Sequence, residues 1–244
     1  MIETAVIFAA GKASRMNYCS KPMKRVAGKP LITYGLDALK ACGVRYIYVV
    51  CRPDDMEILE LPTLWNCCDI CLEMITDSQM QGAVKAHCLL PSTISYPIIT
   101  LDCDIILHPL SLVKAVQVCT DCFLNTEISA AVAVVDNPIF GSDNCILVKE
   151  NRVISYNAKG MPNGVEGGYI FVWKNPIVTE IEEYYDHVRM TGEYGSFFEY
   201  YLSKQQVAAI HIDYLWDVDT LDMINTTEEY LKKTGFLGEG RPIL

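Results

Sequence analysis

The sequence predicts an α/β protein: a doubly wound, mostly parallel but mixed sheet with helices on both faces. Three observations carry this expectation. Short apolar runs end in a glycine turn or an aspartate pair, as strands buried on both faces do. Helical patterns alternate with these runs through the first half of the chain, the arrangement of parallel strands joined by crossovers. The second half strings together β-branched and aromatic segments between turn signals, the mark of antiparallel additions.

Taken in order, residues 4–10 (TAVIFAA) form the first buried strand and end at Gly11. Residues 30–43 (PLITYGLDALKACG) place Leu31, Ile32, Leu36 and Leu39 at helical spacing, with Pro30 at the start and Gly43 at the end. YIYVVC (46–51) is a second buried strand. PIITLDCDIIL (97–107) is a third apolar run, with Asp102 and Asp104 set into its carboxyl end, and LSLVKAVQVC (110–119) follows as a helix. AAVAVV (130–135), CILVKENRVISYN (145–157) and GGYIFVW (167–173) extend the sheet. From Pro176 the pattern turns helical (IVTEIEEYYDHV), and again around FFEYYLSKQ (197–205). A last strand, VAAIHIDYLWDV (207–218), leads into a closing helix, DTLDMINTTEEYLKK (219–233), which Asp219 or Thr220 is placed to cap. No repeat, low-complexity tract or linker interrupts this succession, so residues 1–244 read as a single domain.

Composition narrows the function. The 244 residues are 51% hydrophobic, enough for a substantial core. With 30 acidic against 20 basic side chains the formal charge is −10, which opposes attraction to a phosphate backbone and argues against a nucleic-acid partner. No apolar stretch reaches the roughly 18–20 residues of a membrane span. The opening MIETAVIFAAG lacks a basic leader, which predicts a cytoplasmic location. Most of the eleven cysteines, among them Cys51, Cys88, Cys103 and Cys145, lie in apolar or strand-like stretches and read as reduced, packed thiols. Cys68/Cys71 and Cys119/Cys122 each have zinc-ligand spacing, but the two pairs stand too far apart for a zinc ribbon. His87, His108, His187 and His211 are scattered without companions and read as structural or surface residues. The oligomeric state stays open, a homo-oligomer included.

Three constellations carry chemistry. The first is AAGKASRM (9–16), then Lys21-Pro22, then Gly28-Lys29-Pro30-Leu31. A glycine turn after a buried strand exposes backbone N–H groups to an anion, and Arg15 and Lys21 add positive charge suited to a polyphosphate. The spacing fits neither a P-loop nor a dinucleotide fingerprint. The second is Asp102-Cys103-Asp104 at a strand end, where open α/β sheets bind ligands and hard oxygen donors suit magnesium. The third, Trp216-Asp217-Val218-Asp219-Thr220, also ends a strand and starts a helix. For each aspartate pair, helix capping is the plain alternative.

Together these motifs resemble the start and the metal-binding places of the nucleotidyltransferases that include sugar-1-phosphate nucleotidylyltransferases, molybdopterin guanylyltransferase and phosphocholine cytidylyltransferase. The resemblance implies a Rossmann-like nucleotidyltransferase fold and in-line attack of an acceptor phosphate or phosphonate oxygen on the α-phosphorus of a nucleoside triphosphate. It implies that Ala9, Ala10, Gly11 and Ser14 hold the nucleotide phosphates, Arg15 the β- and γ-phosphates, and Lys21 the reacting α-phosphate. One aspartate from each strand end would hold Mg2+: Asp104 and Asp219 first, with Asp102 and Asp217 as seconds. Gln81 and Gly82, in the segment before an apolar helical pattern, resemble the base-reading stretch. Lys159, Glu166 and Gly168 resemble the acceptor-binding region. There the sequence departs from the sugar enzymes, with Glu-Gly-Gly for Asn-Ala-Gly and Ala-Lys-Gly for Glu-Lys-Pro. The acceptor therefore stays open between a sugar 1-phosphate and a non-sugar phosphoester or phosphonate with CTP. Two other classes compete: a glycosyltransferase using the Asp-x-Asp pair, which has no need of Arg15 and Lys21, and a nucleotide sensor without turnover.

Overall fold

A computed structural model of the chain describes residues 2–11, 20–65, 67–80, 82–136, 145–156, 164–188, 194–234 and 236. The chain opens with β1 (Thr4–Ala9) and a small hairpin of β2 (Arg25–Val26) and β3 (Lys29–Pro30). It continues through α1 (Ile32–Ala41), β4 (Tyr46–Cys51), the short α2 (Met56–Leu59) and α3 (Leu61–Leu64), β5 (Cys71–Thr76) and α4 (Ala83–Ala86). The middle comprises β6 (Ile98–Asp102), β7 (Ile105–Leu107), α5 (Pro109–Cys122), β8 (Ile128–Val135), β9 (Cys145–Lys149) and β10 (Arg152–Ser155). The chain closes with β11 (Gly164–Trp173), α6 (Val178–Val188), α7 (Tyr194–Leu202), β12 (Gln206–Ile212), β13 (Leu215–Asp217) and α8 (Leu221–Thr234).

Among the described residues, nine strands form one sheet in the order β5-β4-β1-β6-β11-β8-β12-β10-β9. β5, β4, β1 and β6 are mutually parallel, and β11 runs antiparallel between β6 and β8. β12 lies parallel to β8, and the β9–β10 hairpin closes that side. The sheet is thus mixed, with four parallel strands from the first half of the chain and one further parallel pair, β8 and β12, from the second. Alternate side chains along the central strands feed opposite faces, as the two-residue period of a strand demands. On one face Ile7, Val49 and Leu101 meet Leu36 and Leu39 of α1 and Leu112 of α5; on the other Val6, Val50 and Trp173 meet Ile181 of α6 and Phe197, Phe198 and Tyr201 of α7. The aromatic cluster of α7 is therefore core. No helix among the described residues is long and apolar enough to cross a membrane.

Two expected strands and one helix start are corrected. The run 97–107 is not one strand: β6 stops at Asp102, and after a turn β7 leaves the main sheet to pair antiparallel with β13, Ile106 opposite Trp216 and Ile105 opposite Asp217. The run 207–218 likewise breaks into β12 and β13 around Asp213 and Tyr214, because β13 serves this second ribbon rather than the sheet. The helix expected from Pro30 starts at Ile32, since Pro30 pairs with Arg25 in the hairpin, and Gly43 closes it at φ 80°. A third apolar cluster lies beside the ribbon, where Trp216, Ile106 and Val218 pack against Val26, Leu31, Tyr34 and Leu231 of α8.

Candidate active site

The sheet order reverses direction between β1 and β6: β4 and β5 lie on one side of β1, and β6 lies on the other. Strand ends at such a switch leave a crevice in which open α/β sheets take ligands. Here Ala9 ends β1, and Phe8 stands opposite Asp102 in the parallel ladder. Ala9 is buried, Ala10 half-buried and Gly11 exposed. A Cβ at Gly11 would meet no atom of the described residues within 4 Å, so packing among them does not demand the glycine. Ser14 and Arg15 lie outside the described residues.

Lys21 is the centre of the arrangement. Its ammonium pairs directly with Asp104 Oδ2 and donates to Asp219 Oδ1 at 2.7 Å. The three side chains come from widely separated stretches, and Lys21 and Asp104 are 14% and 16% exposed, low enough for their charges to be weakly screened. Burial pulls the Lys21 ammonium down, but the Asp104 and Asp219 carboxylates outweigh it and hold its pKa above the ordinary lysine range. The amine is thus a fixed cation.

Asp217 completes the group: one carboxylate oxygen each from Asp104, Asp217 and Asp219 lies within 4.8 Å of the others. The ribbon explains how two loops converge so closely. Its last pair sets Asp217 opposite Ile105, and one residue further on Val218 N donates to Asp104 O at 3.0 Å, stapling the two turns together. Among the described residues one lysine stands with four aspartates, and burial together with repulsion between the carboxylates opposes ionisation of two of them. Burial, then Asp104 and Asp219, push the Asp217 carboxyl up to about 8. Burial, then Asp104 and Asp217, push Asp102 well above the carboxylate range, although Asp102 is not one of the clustered three. Three hard oxygens converging on one point, with more negative charge than one lysine neutralises, fit a divalent cation of the magnesium class.

The capping bonds seen among the described residues at α5 and α8 come from other side chains. His108 Nδ1 accepts from Leu110 N at 3.3 Å at the start of α5. At α8 the cap is Thr220, whose Oγ1 accepts from Met223 N at 3.4 Å; of the two expected caps it is the one that bonds the helix, and Asp219 turns to Lys21 instead. Two other histidines stand apart from this group: His87 is buried against Phe8 and Trp173, burial lowering its pKa to about 3, and exposed His211 pairs with Asp136 at 2.6 Å.

On the β11 side, Glu166 is buried at 8% exposure, accepts from Tyr169 Oη at 3.1 Å and adds to the negative field on Asp217. Gly168 has φ 93°, and a Cβ there would run into the Tyr156 hydroxyl, so both backbone and space require glycine. Tyr156 is fixed in turn by Glu199 of α7, whose Oε1 accepts from Tyr156 N and, at 2.7 Å, from Ser155 Oγ. Lys159 lies outside the described residues. On the β5 side, Gly82 precedes α4 at φ 91°, while Gln81 lies outside the described residues. Sequence reasoning missed Asp77, a buried carboxylate whose Oδ1 accepts from Gln79 N at 3.0 Å and Met80 N at 2.9 Å and so shapes the loop before Gly82. Its Asx-turn spacing was the available signal.

Comparison with known proteins bears on the fold and the family. No curated protein matches the sequence significantly. Among solved structures, the inositol-1-phosphate CTP transferase from T. maritima superposes with a TM-score of 0.77 at 15% identity, covering 99% of this chain and 98% of that one. A UDP-glucose pyrophosphorylase complexed with UDP-glucose gives 0.74 at 14% identity, covering 96% of this chain and 100% of that one. At such identities the likeness establishes the fold. The sequence itself matches the family model of the MobA-like NTP transferase domain over residues 5–188, and with that match spanning most of its length the chain belongs to this family of nucleotidyltransferases.

Proposed function

We propose that the chain is a magnesium-dependent, single-domain nucleotidyltransferase. It joins a nucleoside triphosphate to a small phosphorylated metabolite, a sugar 1-phosphate as first choice, and releases pyrophosphate. The observation that carries this reading is the Lys21 ammonium shared between Asp104 and Asp219, with Asp217 beside them, at the carboxyl ends of the strands. An acceptor phosphate oxygen attacks the α-phosphorus in line, and no covalent enzyme intermediate is needed. The protein's task is to hold two anions together and to offset charge as it builds on the leaving pyrophosphate.

Lys21 is the cation assigned to the α-phosphate and Arg15 the one assigned to the β- and γ-phosphates. Ala9, Ala10, Gly11 and Ser14 line the phosphates, Gln81 and Gly82 the base. Lys159, Glu166 and Gly168 are assigned to the acceptor. Asp104, Asp217 and Asp219 would hold magnesium, with Asp102 behind them, and the ion would supply neutralisation of the triphosphate oxygens. Lys21 inside the carboxylate group separates this reading from a metal-only glycosyltransferase site. Packed thiols such as Cys51 and Cys119 suit a reducing, cytoplasmic setting.

A second reading uses CTP and a non-sugar phosphoester such as phosphocholine, or a phosphonate. It is favoured by Val218-Asp219-Thr220, with Thr220 as cap, and by the structural likeness to a CTP transferase. The test is pyrophosphate release from each of the four ribonucleoside triphosphates, with magnesium, against sugar 1-phosphates, phosphocholine and phosphonates. The expected result is release that needs both one nucleotide and one acceptor. Release without acceptor, or none with any pair, would overturn the proposal.

A further inference from the structure

The hairpin that follows Lys21 is held from near the end of the described chain. Its two-residue turn, Ala27-Gly28, has φ values of 51° and 81°, both left-handed, as a tight hairpin turn matching strand twist requires. Glycine adopts this conformation freely, whereas alanine does so against its own sterics. Ala27 is kept there by its N–H, which donates to Glu228 Oε1 of α8 at 2.7 Å. Around it, Tyr34 Oη donates to Val26 O at 2.9 Å and Arg25 Nη1 to Gly28 O at 2.6 Å. The other oxygen of Glu228 lies 3.9 Å from Lys232 Nζ, one turn further along the helix.

Apolar packing of Val26 and Leu31 against Trp216, Val218 and Leu231 already brings the hairpin to α8. Such packing is non-directional, and Tyr34 ties the hairpin to α1 rather than to α8. A charge-assisted hydrogen bond to one backbone N–H fixes its register. From the hairpin, backbone bonds lead to Lys21: Leu31 N donates to Lys24 O at 2.8 Å, Ile32 N to Pro22 O at 2.9 Å, and Lys24 N to Lys21 O at 3.2 Å. The same helix begins just past Asp219, the other partner of Lys21. α8 is therefore tied to the hairpin that follows Lys21 and, through its own start, to Asp219.

We infer that Glu228 is a positioning residue: by docking the Ala27-Gly28 turn on α8 it sets where the Lys21 ammonium stands relative to Asp104 and Asp219. Its consequence for turnover rests on the nucleotidyl-transfer reading above. The test is a double-mutant cycle. Glu228→Ala should lower kcat by about tenfold with both KM values changed less than about threefold, because alignment rather than binding is lost. Glu228→Gln keeps an acceptor oxygen and should lose only about threefold. In a Lys21→Ala background, either substitution should change kcat by less than about twofold, since residues acting as one unit are not additive. Equal losses in the two backgrounds would mean a general structural role and overturn the inference, as would full kcat in Glu228→Ala. Should Glu228→Ala fail to fold, the cycle built on Glu228→Gln separates the same two outcomes.

A readout free of turnover keeps this separate from the reading it rests on. Labelling by an amine reagent, mapped by mass spectrometry, should be about fivefold faster at Lys21 in Glu228→Ala than in the parent, as local opening frees the buried amine. Lys174, bonded to Phe123 O and Asn125 O far along the chain, should be unchanged. Unaltered labelling of Lys21 would sink the positioning role even if the parent enzyme proved active, and absence of turnover in the parent would sink only the reaction.

Discussion

Two Asp-x-Asp turns meet across the β7–β13 ribbon, and they are not equivalent. In the first, Asp102 is still part of the main sheet, paired beside Phe8 of β1, and only Asp104 reaches Lys21. In the second, Asp217 ends a short ribbon strand and Asp219 lies in the connection to α8, and both join the group of three. Identical spacing thus yields one clustered carboxylate on one side and two on the other. Spacing delivers carboxylates to a strand end; where the backbone goes next decides which of them converge.

The sharpest way to break this comparison is to remove what both turns share. Lys21→Ala should cut kcat by about 100-fold to 1,000-fold with the fold intact, since it deletes a preorganised cation at the point of charge development. A loss below about tenfold would remove Lys21 from the reaction.

The turns themselves are separated by their metal requirement. Asp219→Asn should raise the magnesium concentration for half-maximal activity by about tenfold or more, while Asp102→Asn should shift it by no more than about threefold, because Asp219 belongs to the clustered carboxylates and Asp102 stands outside them. The reverse order would exchange the roles of the two turns.

The smallest effect concerns stability against pH. Asp217, raised from 3.8 to about 8, binds its proton in the folded protein where the unfolded chain has released it. Its contribution is complete below about pH 4 and is lost as the pH rises through about 8, so the unfolding midpoint of metal-free protein should fall across that window. Asp217→Asn should flatten the fall, and saturating magnesium should reverse most of it by mass action. A midpoint that rises with pH in metal-free protein would contradict the direction of this shift.

Much of this was legible in the sequence, for reasons that differ by element. β1, β4 and β6 were readable because strands buried on both faces are nearly continuous apolar runs. β5 was not, because CLEMIT on the sheet edge is half exposed and mixes Glu73 and Thr76 with its apolar residues. The β2–β3 hairpin was unreadable because two-residue strands have no period, and tertiary bonds from Glu228 and Tyr34 hold its turn. The breaks after Asp102 and at Asp213 were hidden because the strand-like pattern resumes at once on the far side, with no glycine or proline between to mark them. At the site, both carboxylate places could be named because they follow strand ends, and Lys21 because the motif after the first strand resembles that of the nucleotidyltransferases. That Asp217 clusters while Asp102 does not depends on the ribbon pairing, a long-range contact that local patterning does not encode.

Gly168 constrains how such a site can diversify. With its left-handed backbone and the Tyr156 hydroxyl lying where a Cβ would stand, no single substitution at 168 is accommodated without moving the Tyr156 ring. Trimming Tyr156 would open the space but leave the φ of 93°, which strains any residue except glycine, so a side chain at 168 needs two separate changes, one of them in the backbone.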